Sequence, residues 1–171
     1  MIPQRRTGAG VWLLAMVALL LAPHLAPASS TRPPAHARLH HAAQADAPAS
    51  ARVAARAVAF VLAQRGKPYR WGAQGPDAYD CSGLTWAAWR HAGVAIPRTA
   101  AGQLAALPPA SGPLRPGDLL VYRTSGPSRR HVAMVTGRGR MVEALGAGIP
   151  VHVRPVRSGW LGAVRPAGGG R

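Results

Sequence analysis

The sequence predicts an α+β protein: helices come first, then a small antiparallel β-sheet, within residues 51–171. Two observations carry this. Apolar residues recur near helical spacing up to about position 107, then give way to short β-branched runs separated by glycine-rich turns. Strands joined by short loops pair antiparallel, and helices that precede such a sheet pack to one side of it. With 171 residues the chain has room for one domain with a real core and not for two ordinary ones.

Taken in order, the first helix is expected in "SARVAARAVAFVLAQRGKPYR", with Ser50 as its N-cap. Val53, Val58, Val61 and Leu62 fall near helical spacing, and Gly66 followed by Pro68 ends it. Tyr69 to Asp80 is a loop punctuated by Gly72, Gly75 and Pro76. A second helix runs from about Cys81 to His91, stops at Gly93, and offers Leu84, Ala88 and Trp89 as its core face. His91 faces water at its C-terminal end, where a positive group suits the helix dipole. A short third helix covers 99–107 with Thr99 as its cap, and strands are expected over 116–123, 131–136, 140–145 and 149–156.

The N-terminal part reads differently. Arg5 and Arg6, the apolar run Val11–Leu21 and the small residues Ala26-Pro27-Ala28 read as a signal peptide over residues 1–28, with a retained anchor as the alternative to cleavage. The eleven-residue apolar run is shorter than the roughly 20 residues a membrane span requires, so no stable membrane insertion is expected after cleavage. Residues 29–50 are rich in Pro, Ala, Ser and His without apolar periodicity, which predicts a disordered linker. His36, His40 and His41 have no Cys or carboxylate nearby to complete a metal site, and no metal or other cofactor is expected.

The net charge is +16; without Arg5 and Arg6 it is +14, from 19 basic and 5 acidic residues. Such a field favours polyanions. The arginines are scattered, however, and no nucleic-acid motif accompanies them, so no nucleic-acid partner is expected; an acidic cell wall fits an exported protein better. Only Asp46, Asp77, Asp80, Asp118 and Glu143 are acidic, and all but Asp46 lie in or beside the motifs that follow. Asp118 reads as a cap or turn residue at the start of a strand.

Cys81 is the only cysteine, so it forms no internal disulfide, and a lone thiol is by base rate more often buried than reactive. Its position changes that balance. At a helix start, unpaired N–H groups and the helix dipole favour a thiolate and can hold an oxyanion, and Gly83 leaves space for a substrate backbone. His131 opens a strand in "RRHVAMVTGRGRMVEAL". If Gly137-Arg138-Gly139 is a three-residue loop, Thr136 pairs with Arg140, Ala133 with Glu143 and His131 with Leu145. His131 and Glu143 then share a face as diagonal neighbours, about 7–8 Å apart at the backbone and within reach of long side chains. That is a nucleophile, a base and a group that orients the base. A four-residue loop would turn Glu143 to the other face. His152, which alternates with Val151 and Val153, is the alternative to Glu143.

Read together, the segments "GKPYRWGAQGPDAYDCSGLTWAAWRHAGVAIPRTAAGQ", "LRPGDLLVY" and "HVAMVTGRGRMVEA" closely resemble the NlpC family of bacterial cell-wall cysteine peptidases, over about residues 53–165. The resemblance implies a small papain-like α+β fold with the nucleophile on a helix packed against the sheet. It implies hydrolysis of peptidoglycan stem peptides, at the bond between γ-linked D-glutamate and the following diamino acid, by an exported, secreted or wall-associated enzyme. By position, Cys81 is the nucleophile, His131 the base and Glu143 the third polar residue, which is often histidine in the family. Tyr69 lies near the thiol, Asp80 and Ser82 help bind substrate, Trp71 packs the cleft wall, and Arg98 is mainly structural. Ala73 stands where a glycine is common. The alternatives are an amidase or acyltransferase with the same dyad, and a non-catalytic wall-binding module.

Overall fold

The computed structural model describes residues 48–125 and 130–168. The expected signal peptide over 1–28, residues 29–47 of the expected linker, and His36, His40 and His41 lie outside the described residues.

Helix α1 spans Ala49–Ala63. It starts before the expected position: Pro48 is the N-cap, without a side-chain hydrogen bond, and Ser50 lies inside the first turn. Pro48 enters with φ −50°, and its carbonyl accepts from the N–H groups of Ala51 and Arg52. The proline ring restricts φ where the chain enters the helix, and no side chain accepts from the first N–H groups. The inward stripe includes Ala57 and Val61, both fully buried, with Val53, Ala54 and Val58 partly covered.

Helix α2 spans Cys81–His91 and buries Leu84, Ala88 and Trp89, the expected face. Asp80 caps its start and Gly93, at φ 86°, its end. Gly93 N–H donates to Arg90 O and Val94 N–H to Trp89 O, the paired bonds that close a helix through a left-handed residue. Helix α3 spans Ala100–Ala106, and the Thr99 hydroxyl accepts from Gly102 N–H.

Five strands follow: β1 Leu119–Arg123, β2 Arg130–Gly137, β3 Arg140–Glu143, β4 His152–Pro155 and β5 Trp160–Val164. They form one antiparallel sheet in the order β4-β3-β2-β1-β5. The first four match the expected runs; β5 was not expected from "WLGAV", which has no alternation and a glycine at its centre. A Cβ on Gly162 would stand 2.7 Å from Leu104 Cδ1 of α3, so the glycine lets that side chain lie close against β5.

The sheet is covered on both faces. Leu119, Val121, Val132, Met134 and Val142 meet the buried residues of α1 and α2, while Leu120, Tyr122, Ala133, Val135 and Met141 form a second cluster with Leu114, Val156 and Ala163. Helices occupy one side, as expected; connecting segments close the other.

The β2–β3 hairpin corrects one detail and keeps the rest. The loop is the two-residue turn Arg138-Gly139, with φ values of 51° and 65°, rather than Gly137-Arg138-Gly139. Gly137 pairs with Arg140, and a bulge between Val135 and Gly137 takes up the extra residue. Two positive φ values give the turn whose twist matches a hairpin, and the bulge then restores the expected register, Val135 with Met141 and Met134 with Val142.

Candidate active site

Cys81 is the first residue of α2 and is 8 % exposed. Its helix start is fixed from three directions. Asp80 Oδ1 accepts from Gly83 N–H at 2.6 Å. Arg98 holds both Asp80 oxygens, with Nη1 3.0 Å from Oδ1 and Nη2 2.7 Å from Oδ2. The same guanidinium donates to Ser82 Oγ and to the carbonyls of Gly72 and Ala73, so it ties the Tyr69–Asp80 loop to the helix. Gln103 of α3 adds a third link, donating to Pro97 O at 2.9 Å and to Ser82 O at 3.3 Å, while its Oε1 accepts from Thr85.

This clamp changes the reading of Gly83. A Cβ there would run into Ala73 O and stand 3.0 Å from Arg98 Nη2 and Asp80 Oδ1. The missing side chain makes room for the clamp, not for an incoming backbone. Asp80 and Ser82 are buried, with their polar atoms engaged by Arg98 and by each other. Arg98 is the structural residue expected of it.

On the other side stands His131, buried at the start of β2. Its Nε2 lies 2.7 Å from Glu143 Oε2 at the end of β3, so the hairpin register does bring the two onto one face. With Nε2 turned to Glu143, Nδ1 is the ring nitrogen left for the thiol. Burial pushes the proton affinity of His131 down, but hydrogen bonding to Cys81 and Glu143 and their negative charge outweigh it, and the imidazole sits above its ordinary value. Tyr69 is near enough that the charges of Cys81 and Asp80 add to its burial in raising its phenol. Trp71 is 59 % exposed.

Glu143 is fully buried and is the most heavily countered acid of the described residues. Arg157 Nη1 is 3.0 Å from each of its oxygens, and Arg154 Nη1 is 3.3 Å from Oε1. Burial pushes its pKa up, but the His131 hydrogen bond and charge, together with Arg157, hold it at about 2. His152 pairs with Glu143 across β3 and β4, yet its Nε2 is 3.6 Å from Oε1, beyond a hydrogen bond. Glu143 is the side chain in contact with His131 Nε2. Neither Arg154 nor Arg157 was singled out by the sequence, where they sit among 21 basic residues with no pattern to mark them.

A cavity of about 730 Å³ lies elsewhere, between the start of α1, Trp89 and the 108–118 segment; Cys81, His131 and Glu143 do not line it. Among the described residues no helix is long and apolar enough to cross a membrane.

The profile of the NlpC/P60 family matches residues 66–164, which takes in the clamp, Cys81, His131 and Glu143. The chain belongs to this family. It is 40 % identical over 117 residues to a "Probable endopeptidase" of Corynebacterium glutamicum, covering 65 % of this chain and 54 % of that protein. The chain thus matches about half the length of this curated relative. Among solved structures, the P60 domain of a Mycobacterium avium subspecies paratuberculosis antigen aligns with a TM-score of 0.59 at 30 % identity, over 69 % of this chain and 96 % of that one. RipD of Mycobacterium tuberculosis, described as a non-catalytic NlpC/p60 domain protein adapted to peptidoglycan binding, aligns with a TM-score of 0.56 at 30 % identity, over 66 % and 96 %. The papain-like α+β architecture expected from the sequence is the one these relatives share.

Proposed function

We propose that this chain is an exported cysteine endopeptidase that hydrolyses peptidoglycan stem peptides, at the bond between γ-D-glutamate and the diamino acid. The observation that carries the reading is the placement of His131 between the thiol at the α2 start and the buried Glu143. A signal peptide over 1–28 would deliver the enzyme to the wall, where its positive charge suits an acidic polymer.

The roles follow from the atoms. The Cys81 thiolate attacks the scissile carbonyl carbon, a C–S bond forms, and the carbonyl oxygen gains charge near the Cys81 N–H at the start of α2, which has no acceptor within the helix. The C–N bond breaks as His131 hands its Nδ1 proton to the leaving amine. Neutral His131 then takes a proton from water, the hydroxide attacks the thioester, and the acyl product leaves as Cys81 is restored. Throughout, Glu143 accepts the Nε2–H of His131 and so fixes which nitrogen faces the thiol. Tyr69 and the exposed Trp71 border the substrate, while Asp80 and Ser82 serve it by holding the helix start through Arg98.

The test is cleavage of purified sacculi by the parent chain and by Cys81→Ala, with released fragments identified by mass. We expect the parent to release fragments cut after γ-D-glutamate and Cys81→Ala to release none. Equal cleavage by both overturns the nucleophile. Fragments cut at the sugar–peptide amide would make it an amidase instead. The resemblance to RipD favours one second reading, a wall-binding module without chemistry; sacculus binding by the parent with no fragment released would establish it.

A further inference from the structure

Glu143 has more partners than orienting a histidine requires, and one of them stands out. Arg157 lies in the connection between β4 and β5, outside any strand, and reaches both carboxylate oxygens at 3.0 Å. Its guanidinium lies over the ring of Tyr122, 4.1 Å from the centroid, and the Tyr122 hydroxyl donates to Arg157 O at 3.1 Å. Tyr122 thus holds the arginine at both ends. Tyr122 is also the residue paired with His131 across β1 and β2, with ring centroids 6.3 Å apart. His131, Glu143, Arg157 and Tyr122 therefore close a circuit of contacts.

We propose that Arg157 is a positioning residue of the active site, acting on His131 through Glu143. The inference rests on the peptidase reading above. A carboxylate with no exposure takes up a proton unless opposite charge stands beside it. During the reaction His131 alternates between cation and neutral ring, so Glu143 periodically loses that counter-charge. A guanidinium keeps its charge throughout. Arg157 therefore keeps Glu143 ionised and in place while His131 is neutral, so that the ring still donates Nε2–H and presents Nδ1 to the thiol. The same positive charge weakens the pull of Glu143 on the His131 proton, which leaves the imidazolium acidic enough to protonate the leaving amine.

The other groups facing Glu143 do not duplicate this. Arg154 of β4 reaches only Oε1, at 3.3 Å, from a half-open position. His152 of β4 is 3.6 Å from Oε1, and its Nδ1 faces Pro150 O at 2.9 Å; in the neutral ring Nδ1 then carries the proton and Nε2 has none to give. Tyr122 of β1 contributes its ring to Arg157 and no hydrogen bond to the carboxylate among the contacts described.

The experiment follows the His131 imidazole by NMR titration in the full chain and measures kcat and KM on a stem-peptide fragment, for the parent, Arg157→Gln and Arg157→Lys. We expect Arg157→Gln to titrate His131 at higher pH than the parent, because a cation has been removed from beside Glu143 and the imidazolium. We expect kcat to fall about 10-fold with KM within about twofold, the size typical of losing a partner behind a reacting group. Arg157→Lys should return the titration toward the parent value, since it restores charge without the two-oxygen reach. An unmoved or lowered His131 titration in Arg157→Gln overturns the proposal, whatever happens to kcat. If Arg157→Gln does not fold, the uncharged Arg157→Met is titrated in its place, and an unmoved or lowered His131 titration there overturns the proposal equally. The titration needs no substrate, so a parent that cleaves nothing yet shows the shift would sink the peptidase reading and leave the coupling standing.

Discussion

Asp118 and Glu143 are both buried carboxylates met by arginine, and the difference between them shows what turns an ion pair into part of a site. Asp118 opens β1, is 1 % exposed, and has each oxygen 2.8 Å from Arg165, with Arg115 N–H donating to Oδ2 at 2.7 Å. Every partner keeps its proton, so the group can only strap the end of β5 to the start of β1. Glu143 is equally buried and also paired with an arginine, but one of its partners is His131, which gains and loses a proton. Pairing supplies permanence in both places. Only Glu143 has a partner whose charge changes, and only there can the pair affect chemistry.

The comparison can be broken or sharpened by experiment, beginning where the effect is largest. Asp118→Ala leaves the Arg165 guanidinium without its carboxylate, and removing one member of a buried pair costs about 3–5 kcal/mol. Chemical denaturation should show that loss while activity per folded molecule stays within about threefold of the parent. A selective loss of activity would mean that Asp118 is more than a strap.

Acid should discriminate next. Glu143 is held at about 2 when folded against an ordinary value near 4.5. A lowered folded pKa adds stability above the unfolded value and gives it up as pH falls toward the folded one, so the contribution should be lost between about pH 4.5 and 2. The shift corresponds to roughly 3 kcal/mol. Urea unfolding across that window should therefore show a steeper decline in the parent than in Glu143→Gln, and parallel curves would contradict the charge cage.

Glu143→Gln should lower kcat about 100-fold by releasing the His131 ring. It should also move the alkaline limb of activity to lower pH. The folded pKa of His131 is raised, and part of that elevation comes from Glu143; without the negative charge the imidazolium deprotonates sooner. A kcat loss with an unmoved limb would make Glu143 a second strap. The smallest effect belongs to His152→Ala, within about twofold in kcat, because that ring stands 3.6 Å from Oε1. A large loss would return His152 to the role of third residue.

Much of the site was legible because it depends on short-range rules. Thr99 sits before helical spacing and does cap α3, whereas the capping of α2 by Asp80 was not read from the sequence. The glycine-rich turn between two apolar runs placed Glu143 on the face of His131 although the loop is one residue shorter than expected, since the bulge at Thr136 compensates. The start of α1 was misplaced because Ser50 is the stronger cap by type, whereas Pro48 acts through its fixed φ.

The sequence by itself determined the order of helices and strands and the thiol at a helix start, because helical periodicity and caps act within a few residues of chain; it put His131 and Glu143 on one face only for one loop length. Only the tertiary structure decided which cations hold the acids. Arg98 meets Asp80 from 18 residues away, Arg157 meets Glu143 from 14, and Arg165 meets Asp118 from 47. No local pattern distinguishes those arginines from the rest of a strongly basic chain; β5 and the folding of both sheet faces bring them to their carboxylates.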